Sequence, residues 1–464
     1  MAKEDAKKLQ EKLFFTQPHI ADEVPSAVKK ADKFCKDYMD FLDTAKTERE
    51  ATQEIEKRLV AAGYKAFDSK SKYKAGDKVY FVNRAKSIIA ATIGKKSAEH
   101  GVRLMIAHID SPRLDLKPNP LYESSDIALF KTHYYGGIRK YQWGATPLSL
   151  HGVVYKTNGE CIHISVGEKQ GEPVFCVTDL LPHLAQEQSK RTLNEGLKGE
   201  ELNIVIGSMP YADKEVKDRV KLYILQLLHE KYGITERDFP RAEIEAVPAC
   251  KASEVGFDRS MIGAYGHDDR VCGYTSLMAE IGAVNPEYTT VCVLTDKEET
   301  GSDGNTGLNS DYVFHFLADL ADMQKANYRD MLRNTKCLSA DVNAAFDPTF
   351  PDVLDPNNAA YLNRGVVVTK YTGSRGKYGT NDANAEMMAY TTSFLDKAGV
   401  VWQTGELGKV DVGGGGTVAK YVANRNIDVV DIGVPVLSMH APFEIVSKLD
   451  VYMTYKAFEA FTKA

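Results

Sequence analysis

The sequence predicts an α/β protein, with helices on both faces of a mixed or parallel β-sheet and a separate β-rich domain inserted into it. Three observations indicate this fold. The chain has 464 residues, more than one ordinary hydrophobic core holds, so two domains are expected. From residue 242 onward, apolar strand-like runs alternate with helical segments. Between about residues 118 and 248, prolines, aromatic residues and short strands replace longer runs.

The first sixty residues are predicted to form helices that serve as scaffold. The segment TEREATQEIEKRLVAAGY begins with a capping box and ends at a glycine, which are typical helix start and stop signals. The capping box pairs Thr47 with Glu50, and the apolar stripe of the helix runs through Ile55, Leu59 and Val60.

Three apolar runs then begin the sheet. They are KVYFV at 78–82, SIIAATIG at 87–94 and RLMIAHID at 103–110. The last run is apolar on both faces, as expected of a central strand covered on both sides.

The composition of the sequence and the length of its apolar runs change after Pro112. Short strand-like pieces such as LSLHGVVYK and CIHISVG follow, and then an amphipathic helix at 218–233. We therefore assign residues 118–248 to an inserted β-rich domain. Residues 1–117 and 249–464 together form the discontinuous domain into which it is inserted.

Composition excludes several classes of protein. The formal charge of −6 provides no basic field, so we expect no sequence-independent nucleic-acid binding. The opening residues carry charges and no apolar core of a signal peptide, and no apolar run is long enough to span a bilayer. The seven cysteines are scattered and form no CxxC pair, which favours a reducing compartment. A cytoplasmic protein that does not contact membranes is expected.

Polar residues cluster where the apolar runs end, which is where open α/β sheets bind their ligands. Only three residue types, histidine, aspartate and glutamate, recur there. The positions are His108, Asp110, His267, Asp268, Asp269, Glu298, Glu299, Asp341 and His440.

A bound cation explains such a carboxylate cluster, because without one the carboxylates would repel each other and take up protons. Two imidazoles with three carboxylates and no thiolate suit zinc, manganese or cobalt better than calcium, which prefers oxygen ligands only. Two ions with one bridging carboxylate would use all five groups.

Each motif alone also has an ordinary structural explanation. A histidine at a strand end is commonly a hydrogen-bonded core residue, Asp269 suits a helix N-cap, and adjacent glutamates usually lie on the surface. On a strand, however, residues i and i+2 share a face, so Asp110 can orient the imidazole of His108. The recurrence of these groups at the ends of one inferred sheet favours a functional site.

The order of the motifs resembles that of the M18 metallopeptidases, a family of aminopeptidases within the larger clan of dizinc exopeptidases. The motifs are AHIDSPRLDLKPNPLYE, GHDDR, DKEETGS, SADV and DIGVPVLSMHAP, supported by KYGTNDANAE and GGGGTVAKYVANRNIDVVDIG near the C-terminus. The resemblance covers nearly the whole chain.

The resemblance implies a role for each position. His108 and Asp341 would bind one zinc ion, Glu299 and His440 would bind the other, and Asp268 would bridge them. Glu298 would be the general base and Asp110 the carboxylate that orients a ligand. It also implies a cis peptide bond after Asp268, and it leaves His267 outside the ligand set.

The family architecture is an α/β/α sandwich catalytic domain of the dizinc exopeptidase type, interrupted by a β-rich dimerisation domain. Its dimers assemble into a dodecamer that encloses the active sites. By this resemblance His183 would reach the active site of a neighbouring subunit. Tyr378 and Gly415 are further candidates for substrate binding.

The implied activity is that of a dizinc aminopeptidase acting on peptides with a free N-terminus. A water bridging the two ions would lose its proton to Glu298 and attack the first peptide bond. Glu298 would then protonate the leaving amine.

Two departures from the acidic-specific members bear on specificity. Ala344 stands where those members have a histidine, and Thr369 or, with one residue of slip, Lys370 stands where they have a lysine. A neutral or apolar first residue is therefore at least as well supported as an acidic one.

Two other functions stay open at this point. A related carboxypeptidase, dipeptidase or deacylase would need a basic anchor for a substrate carboxylate, and none is evident. An inactive oligomeric scaffold would not need the complete ligand set or Glu298.

Overall fold

The computed structural model describes residues 3–464. Within that range the α-helices are α1 (Lys3–Leu13), α2 (Ile20–Glu23), α3 (Ala27–Thr44), α4 (Glu48–Ala61), α5 (Arg219–Tyr232), α6 (His267–Ile281), α7 (Tyr312–Met323), α8 (Tyr328–Asn334), α9 (Ala385–Lys397), α10 (Ala419–Ala423) and α11 (Lys448–Phe461). The strands of the first half are β1 (Lys65–Ala66), β2 (Lys78–Asn83), β3 (Ser87–Thr92), β4 (Arg103–His108), β5 (Arg113–Ser124), β6 (Ile127–Tyr135), β7 (Pro147–Tyr155), β8 (Cys161–Val166), β9 (Phe175–Val177), β10 (Ile204–Gly207) and β11 (Ala242–Pro248). The strands of the second half are β12 (Ser253–Val255), β13 (Met261–Ala264), β14 (Thr290–Thr295), β15 (Lys336–Ala340), β16 (Asn343–Ala344), β17 (Val366–Thr369), β18 (Gly373–Ser374), β19 (Trp402–Thr404), β20 (Gly414–Gly415), β21 (Asp428–Gly433), β22 (Pro435–Leu437) and β23 (Glu444–Ser447).

A nine-stranded sheet runs in the order β1-β2-β3-β14-β4-β15-β21-β17-β19. Its central strands β14, β4, β15 and β21 are parallel, and β3 and β17 join them antiparallel. One apolar cluster packs side chains of α3, α4, α6, α9 and α11 against this sheet, and a second packs those of α7, α8 and α10. The prediction of a mixed α/β fold is confirmed.

A second sheet contains seven strands in the order β11-β5-β6-β10-β9-β7-β8, and β11 also pairs with β7. Six of its strands therefore close into a ring, with β8 attached outside it. A separate apolar cluster that includes the fully buried Trp143 fills this part of the molecule. Helix α5 lies where the sequence predicts an amphipathic helix and packs on β5 and β6.

Two smaller sheets complete the fold. One has the order β12-β13-β23-β22-β16, and the other pairs β18 with β20. The run IDVVDIGVPVLSMH, predicted as one strand, divides into β21 of the nine-stranded sheet and β22 of the five-stranded sheet. The chain thus leaves the large sheet just before His440.

The helical prediction for the first sixty residues is confirmed, with two local corrections. Thr47 caps α4 by accepting a hydrogen bond from the backbone of Glu50. The Glu50 carboxylate does not return to Thr47 but accepts from the backbone N–H of Lys46. Val60, predicted to lie on the apolar stripe, is 53% exposed. In the part of the chain described here, no helix combines the length and apolarity that crossing a membrane requires.

Candidate active site

Parallel strands bring the candidate residues to one edge of the large sheet. Strand β4 ends at His108, β14 ends three residues before Glu298, and β15 ends just before Asp341. Because β14, β4 and β15 are adjacent and parallel, their carboxyl ends meet at the same edge.

A tight turn places both glutamates at this edge. Residues Glu298–Thr300 form a short 3₁₀ turn after β14, between Lys297 and Gly301, which both have positive φ angles. The strand has therefore ended, and a turn has begun, before the two glutamates. The backbone N–H groups of Glu298 and Glu299 point to the Asp110 carboxylate, at 3.2 and 3.3 Å.

The Asp268 carboxylate lies between the two histidines. Its Oδ1 is 3.2 Å from Nε2 of His108, and its Oδ2 is 3.0 Å from Nε2 of His440. The peptide bond between Asp268 and Asp269 is cis, as the family resemblance implies.

The other carboxylates fall on either side of Asp268. Asp341 Oδ1 and Glu298 Oε2 each lie 3.9 Å from His108 Nε2. Glu299 Oε1 lies 3.5 Å from His440 Nε2. The distances thus divide the groups into two sets that share Asp268.

Hydrogen bonds orient both imidazoles. Nδ1 of His108 faces the backbone oxygen of Asp110 at 3.0 Å and its carboxylate at 3.3 Å. Nδ1 of His440 faces the carbonyl oxygen of Gly137 at 2.8 Å. With Nδ1 engaged, each ring directs Nε2 into the cluster, as metal-binding histidines do.

The ionisation of the cluster shows a charge conflict. Burial, reinforced by the neighbouring carboxylates, raises the pKa of Glu298 to about 7 and that of Glu299 well above its usual range. Burial also raises the pKa of Asp341 well above its usual range. Although burial opposes it, the carboxylates of Glu299 and Asp268 raise the pKa of His440 to about 11. The raised pKa values mean that these groups tend to hold protons, which balance negative charge that a bound cation would otherwise balance.

The residues present fit a divalent cation. Three ligand groups hold their donor atoms within 4.8 Å of one another: His108 with Asp268 and Glu299, His108 with Glu298 and Asp341, and Asp268 with Asp269 and Asp341. Oδ1 of Asp268 and Oε1 of Glu299 are buried and accept no hydrogen bond from any described residue. Buried acceptor oxygens without donors, together with two imidazoles, form a donor set suited to zinc.

His267 lies next to the cluster but belongs to the core. Its Nδ1 accepts from the Tyr38 hydroxyl at 2.7 Å, and its Nε2 donates to the carbonyl of Ile262 at 3.1 Å. Burial lowers its pKa to about 3, so the ring is neutral. Both ring nitrogens are thus engaged outside the cluster, which agrees with the position of His267 outside the implied ligand set.

The cluster opens into a cavity of about 450 Å³. Gly415 lines this cavity together with Asp268, Glu298, Glu299, Asp341 and His440. The other two substrate-binding candidates lie elsewhere in the single chain: Tyr378 is 74% exposed, and His183 is exposed on a loop after β9.

The structure decides which of two adjacent residues faces the cavity. Thr369 lines it and is 4% exposed. Lys370 points away and pairs with Asp382 at 3.1 Å. Lys420 also lines the cavity, with its ammonium 4.7 Å from the centre of the Tyr421 ring.

Sequence reasoning missed Glu444, which lies at the start of β23. Its Oε1 accepts from the backbone N–H of His440 at 2.6 Å, and its Oε2 accepts from that of Asp268 at 3.0 Å. One buried carboxylate thus holds two candidate ligands. No periodicity or motif around Glu444 signals these contacts. Both partners bind it through backbone N–H groups, and one of them, Asp268, is distant in the sequence.

Strand β21 passes close to the backbone of Asp341 at Gly433. A Cβ atom on Gly433 of β21 would lie 1.7 Å from the carbonyl oxygen of Asp341. Glycine is therefore required for β21 to pass the turn that carries this carboxylate.

Residues 41–462 match the family model described as "Aminopeptidase I zinc metalloprotease (M18)". The chain belongs to the M18 family. An M18 relative from Clostridium acetobutylicum, a probable M18 family aminopeptidase 1, is 48% identical across 91% of this chain and 93% of its own length. The relative of the same description from Thermotoga maritima is 48% identical across 92% and 95%.

Solved M18 structures agree. The crystal structure of the Thermotoga maritima M18 aminopeptidase has 46% identity and a TM-score of 0.92, covering 97% of this chain and all of that one. A Saccharomyces cerevisiae structure described as a dodecamer has a TM-score of 0.75 at 21% identity, covers 93% of this chain and 95% of that one, and shares the fold.

M18 membership makes the chain a zinc metallo-aminopeptidase. The predicted family, enzyme class and N-terminal hydrolysis are confirmed. A carboxypeptidase, a dipeptidase, a deacylase or an inactive scaffold is not favoured.

Proposed function

We propose that this cluster is the catalytic centre, where the N-terminal residue of a peptide is removed with two divalent ions per subunit. His108 and Asp341 would hold one ion, Glu299 and His440 the other, and Asp268 both. The observation that carries this proposal is the Asp268 carboxylate, whose two oxygens face two different histidines at 3.2 and 3.0 Å. Bound zinc would supply a water of lowered pKa and a polarised scissile carbonyl.

Glu298 moves the proton in this proposal. Its carboxylate lines the cavity, and Oε2 lies near the His108 side of the cluster. A carboxylate in this place, beside the proposed metal ligands and facing the cavity, suits proton transfer to and from the attacking water. It would accept the proton of the attacking water and pass it to the leaving amine.

The remaining residues position the reactants. Asp110 would fix the His108 ring and the backbone of both glutamates. The carboxylates near Glu299 would attract the free amino terminus, which would limit cleavage to the first residue. Gly415 would lie beside the substrate backbone, Tyr378 would contact it from the rim, and His183 would act in the site of a neighbouring copy.

We expect the preferred first residue to be neutral. Thr369, rather than Lys370, faces the cavity, so the lysine position associated with acidic specificity contributes no charge there. Faster turnover of a glutamyl substrate would contradict this expectation and indicate Lys420 as the group that recognises acid.

We also propose the assembly and location of the enzyme. The ring of strands within residues 118–248 would be the inserted dimerisation domain, and the remaining chain the α/β/α catalytic domain. Dimers would build a dodecamer, and the structurally similar yeast protein is described as a dodecamer. The scattered cysteines support the reducing cytoplasm as its compartment.

One assay tests the proposed activity. The zinc-loaded protein is incubated with leucyl, lysyl and glutamyl anilides and with an N-acetylated leucyl peptide as the matched blocked substrate. We expect release of the first residue from unblocked substrates only. Cleavage of the blocked peptide from its C-terminus would contradict an aminopeptidase, and so would no turnover with zinc, manganese or cobalt.

A further inference from the structure

We propose that Tyr135, at the end of strand β6 in the second sheet, is a positioning residue for the metal centre. Its hydroxyl donates a 2.7 Å hydrogen bond to Oδ2 of Asp110. The inference rests on the proposed metal site. It assigns Tyr135 the task of holding Asp110, and through Asp110 of orienting His108 and the turn that carries both glutamates.

Asp110 organises several groups at once. It is fully buried, and its oxygens face the imidazole of His108 and the backbone N–H groups of Glu298 and Glu299. The bond from Tyr135 is the shortest of these contacts and points at Oδ2, whose other contact among residues 3–464 is that with Glu299 at 3.3 Å. Charge-assisted bonds of this length are the strong ones, so the phenol fixes where the carboxylate sits.

Arg113 holds the Tyr135 ring in place. The two residues are direct partners across β5 and β6, and the guanidinium carbon lies 3.9 Å from the centre of the ring. A cation is attracted to the face of an aromatic ring, so Arg113 helps to fix where the Tyr135 ring lies.

Carboxylates fix the Arg113 guanidinium in turn. Glu245 of β11 lies 3.1 Å from it, and Glu48 at the start of α4 lies 3.4 Å from it. All three side chains are nearly or fully buried. Tyr135, the last residue of β6, therefore packs against a buried charged network.

By this geometry a residue of the second sheet positions groups of the proposed metal centre. Groups that orient metal ligands from outside commonly change metal affinity or activity 10- to 100-fold when removed. Since Tyr135→Phe deletes a single oxygen and keeps the ring under Arg113, the substitution isolates the hydrogen bond from the packing.

The test compares Tyr135→Phe with Tyr134→Phe, the same change at the preceding position, where the side chain is 41% exposed. Zinc affinity is measured by chelator competition, and the coordination of Co²⁺ by the visible spectrum of the cobalt-loaded protein. We expect Tyr135→Phe to weaken the affinity for zinc about 10- to 100-fold and to alter the cobalt spectrum. Its kcat on leucyl anilide should fall by a similar factor with KM nearly unchanged, and Tyr134→Phe should match the wild type in every measurement.

Melting of the metal-free proteins separates positioning from general damage. Unchanged melting with weakened metal binding supports the proposal. Wild-type zinc affinity and an unchanged cobalt spectrum in Tyr135→Phe would overturn it, including when melting falls. If the wild type cleaves no anilide while Tyr135→Phe still weakens zinc binding, the proposed peptidase reaction fails and the positioning role stands.

Discussion

Glu298 and Glu299 are neighbours in the chain, but their carboxylates face different partners. Oε2 of Glu298 lies on the His108 side of Asp268, whereas Oε1 of Glu299 lies on the His440 side. The 3₁₀ turn permits this division, since consecutive residues of a regular strand would point to opposite faces. Two like charges can therefore serve one centre with separate tasks.

The two glutamates should respond differently to the same substitution. Glu298→Gln should lower kcat at least 100-fold, the typical scale for loss of a general base, with metal content near that of the wild type. Glu299→Gln should lose one of the two ions, because an amide is a poor ligand in place of a carboxylate. Metal analysis after dialysis, combined with anilide turnover, checks both; equal metal loss in the two variants would remove the distinction we propose.

Which site residues the sequence could predict depends on how they act. His108, Asp268, Glu299, Asp341 and His440 contribute side chains that follow apolar runs, so their positions stand out. Glu444 binds backbone N–H groups and Tyr135 reaches across from another sheet, so no local pattern marks them. Contacts of this kind are found only when distant segments are placed together.

Helix α4 begins where the sequence predicts it, but one predicted hydrogen bond at its start is replaced by another. Its start at Thr47 follows the predicted cap. Glu50 does not complete the capping box, because its carboxylate contacts His151 of β7 as well as the backbone of Lys46. A tertiary partner thus replaces the local one.

The cap of α4 can be tested directly. Thr47→Ala should lower the free energy of unfolding by about 1 kcal/mol, since the N–H of Glu50 loses its acceptor. Ser26→Ala is the matched control, because Ser26 precedes α3 without making a side-chain cap bond. Urea denaturation followed by circular dichroism measures both variants. A loss at Ser26 equal to that at Thr47 would show that capping is not the cause.

The division of the run at 427–440 into two strands also has a physical reason. Strand β21 pairs with β15 and β17, whereas β22 pairs with β16 and β23 of another sheet. An apolar pattern specifies which residues are buried but not against which sheet they pack. Periodicity alone therefore indicates one strand where the fold uses two.

The buried side chain of His151 joins the second sheet to helix α4. Nδ1 of His151 lies 2.7 Å from the carboxylate of Glu50 in α4, and its Nε2 lies 3.1 Å from that of Glu168, which follows β8. Both ring nitrogens face carboxylates, which only accept hydrogen bonds. The ring can therefore donate to both only when it is protonated. Although burial lowers it, the bonds to Glu168 and Glu50 raise the pKa of His151 above its usual range.

This imidazolium predicts a pH-dependent contribution to stability. Because the pKa is raised in the folded protein, the contribution is fully present below the unfolded value of about 6.5 and is lost as pH rises through the folded value. His151→Gln should therefore cost about 2 kcal/mol at pH 6, with a smaller difference from the wild type at pH 9. Urea midpoints at the two pH values measure this, with His163→Gln on the exposed face of β8 as the control. A cost that does not change with pH would refute the charged contact.

Metal removal should affect the whole molecule. The ligand groups are assembled only in the folded chain, so zinc should bind the folded protein and not the unfolded one, and it should therefore stabilise the fold. At free zinc 100 times its Kd, the gain is about 2.7 kcal/mol per site. Calorimetric melting of chelated and zinc-loaded protein tests this. Asp268→Asn should abolish most of the gain, whereas Glu298→Gln should retain it.

The requirement for glycine at position 433 also has an evolutionary meaning. Every other amino acid carries a Cβ, and the Asp341 carbonyl already occupies the space that this atom would need. No point mutation of that codon that changes the residue can be accommodated without moving the Asp341 turn. Lineages that keep the proposed metal ligand Asp341 in its place should thus show no drift at Gly433. Because the atom in the way is a backbone carbonyl oxygen, replacing the Asp341 side chain alone should not release this constraint.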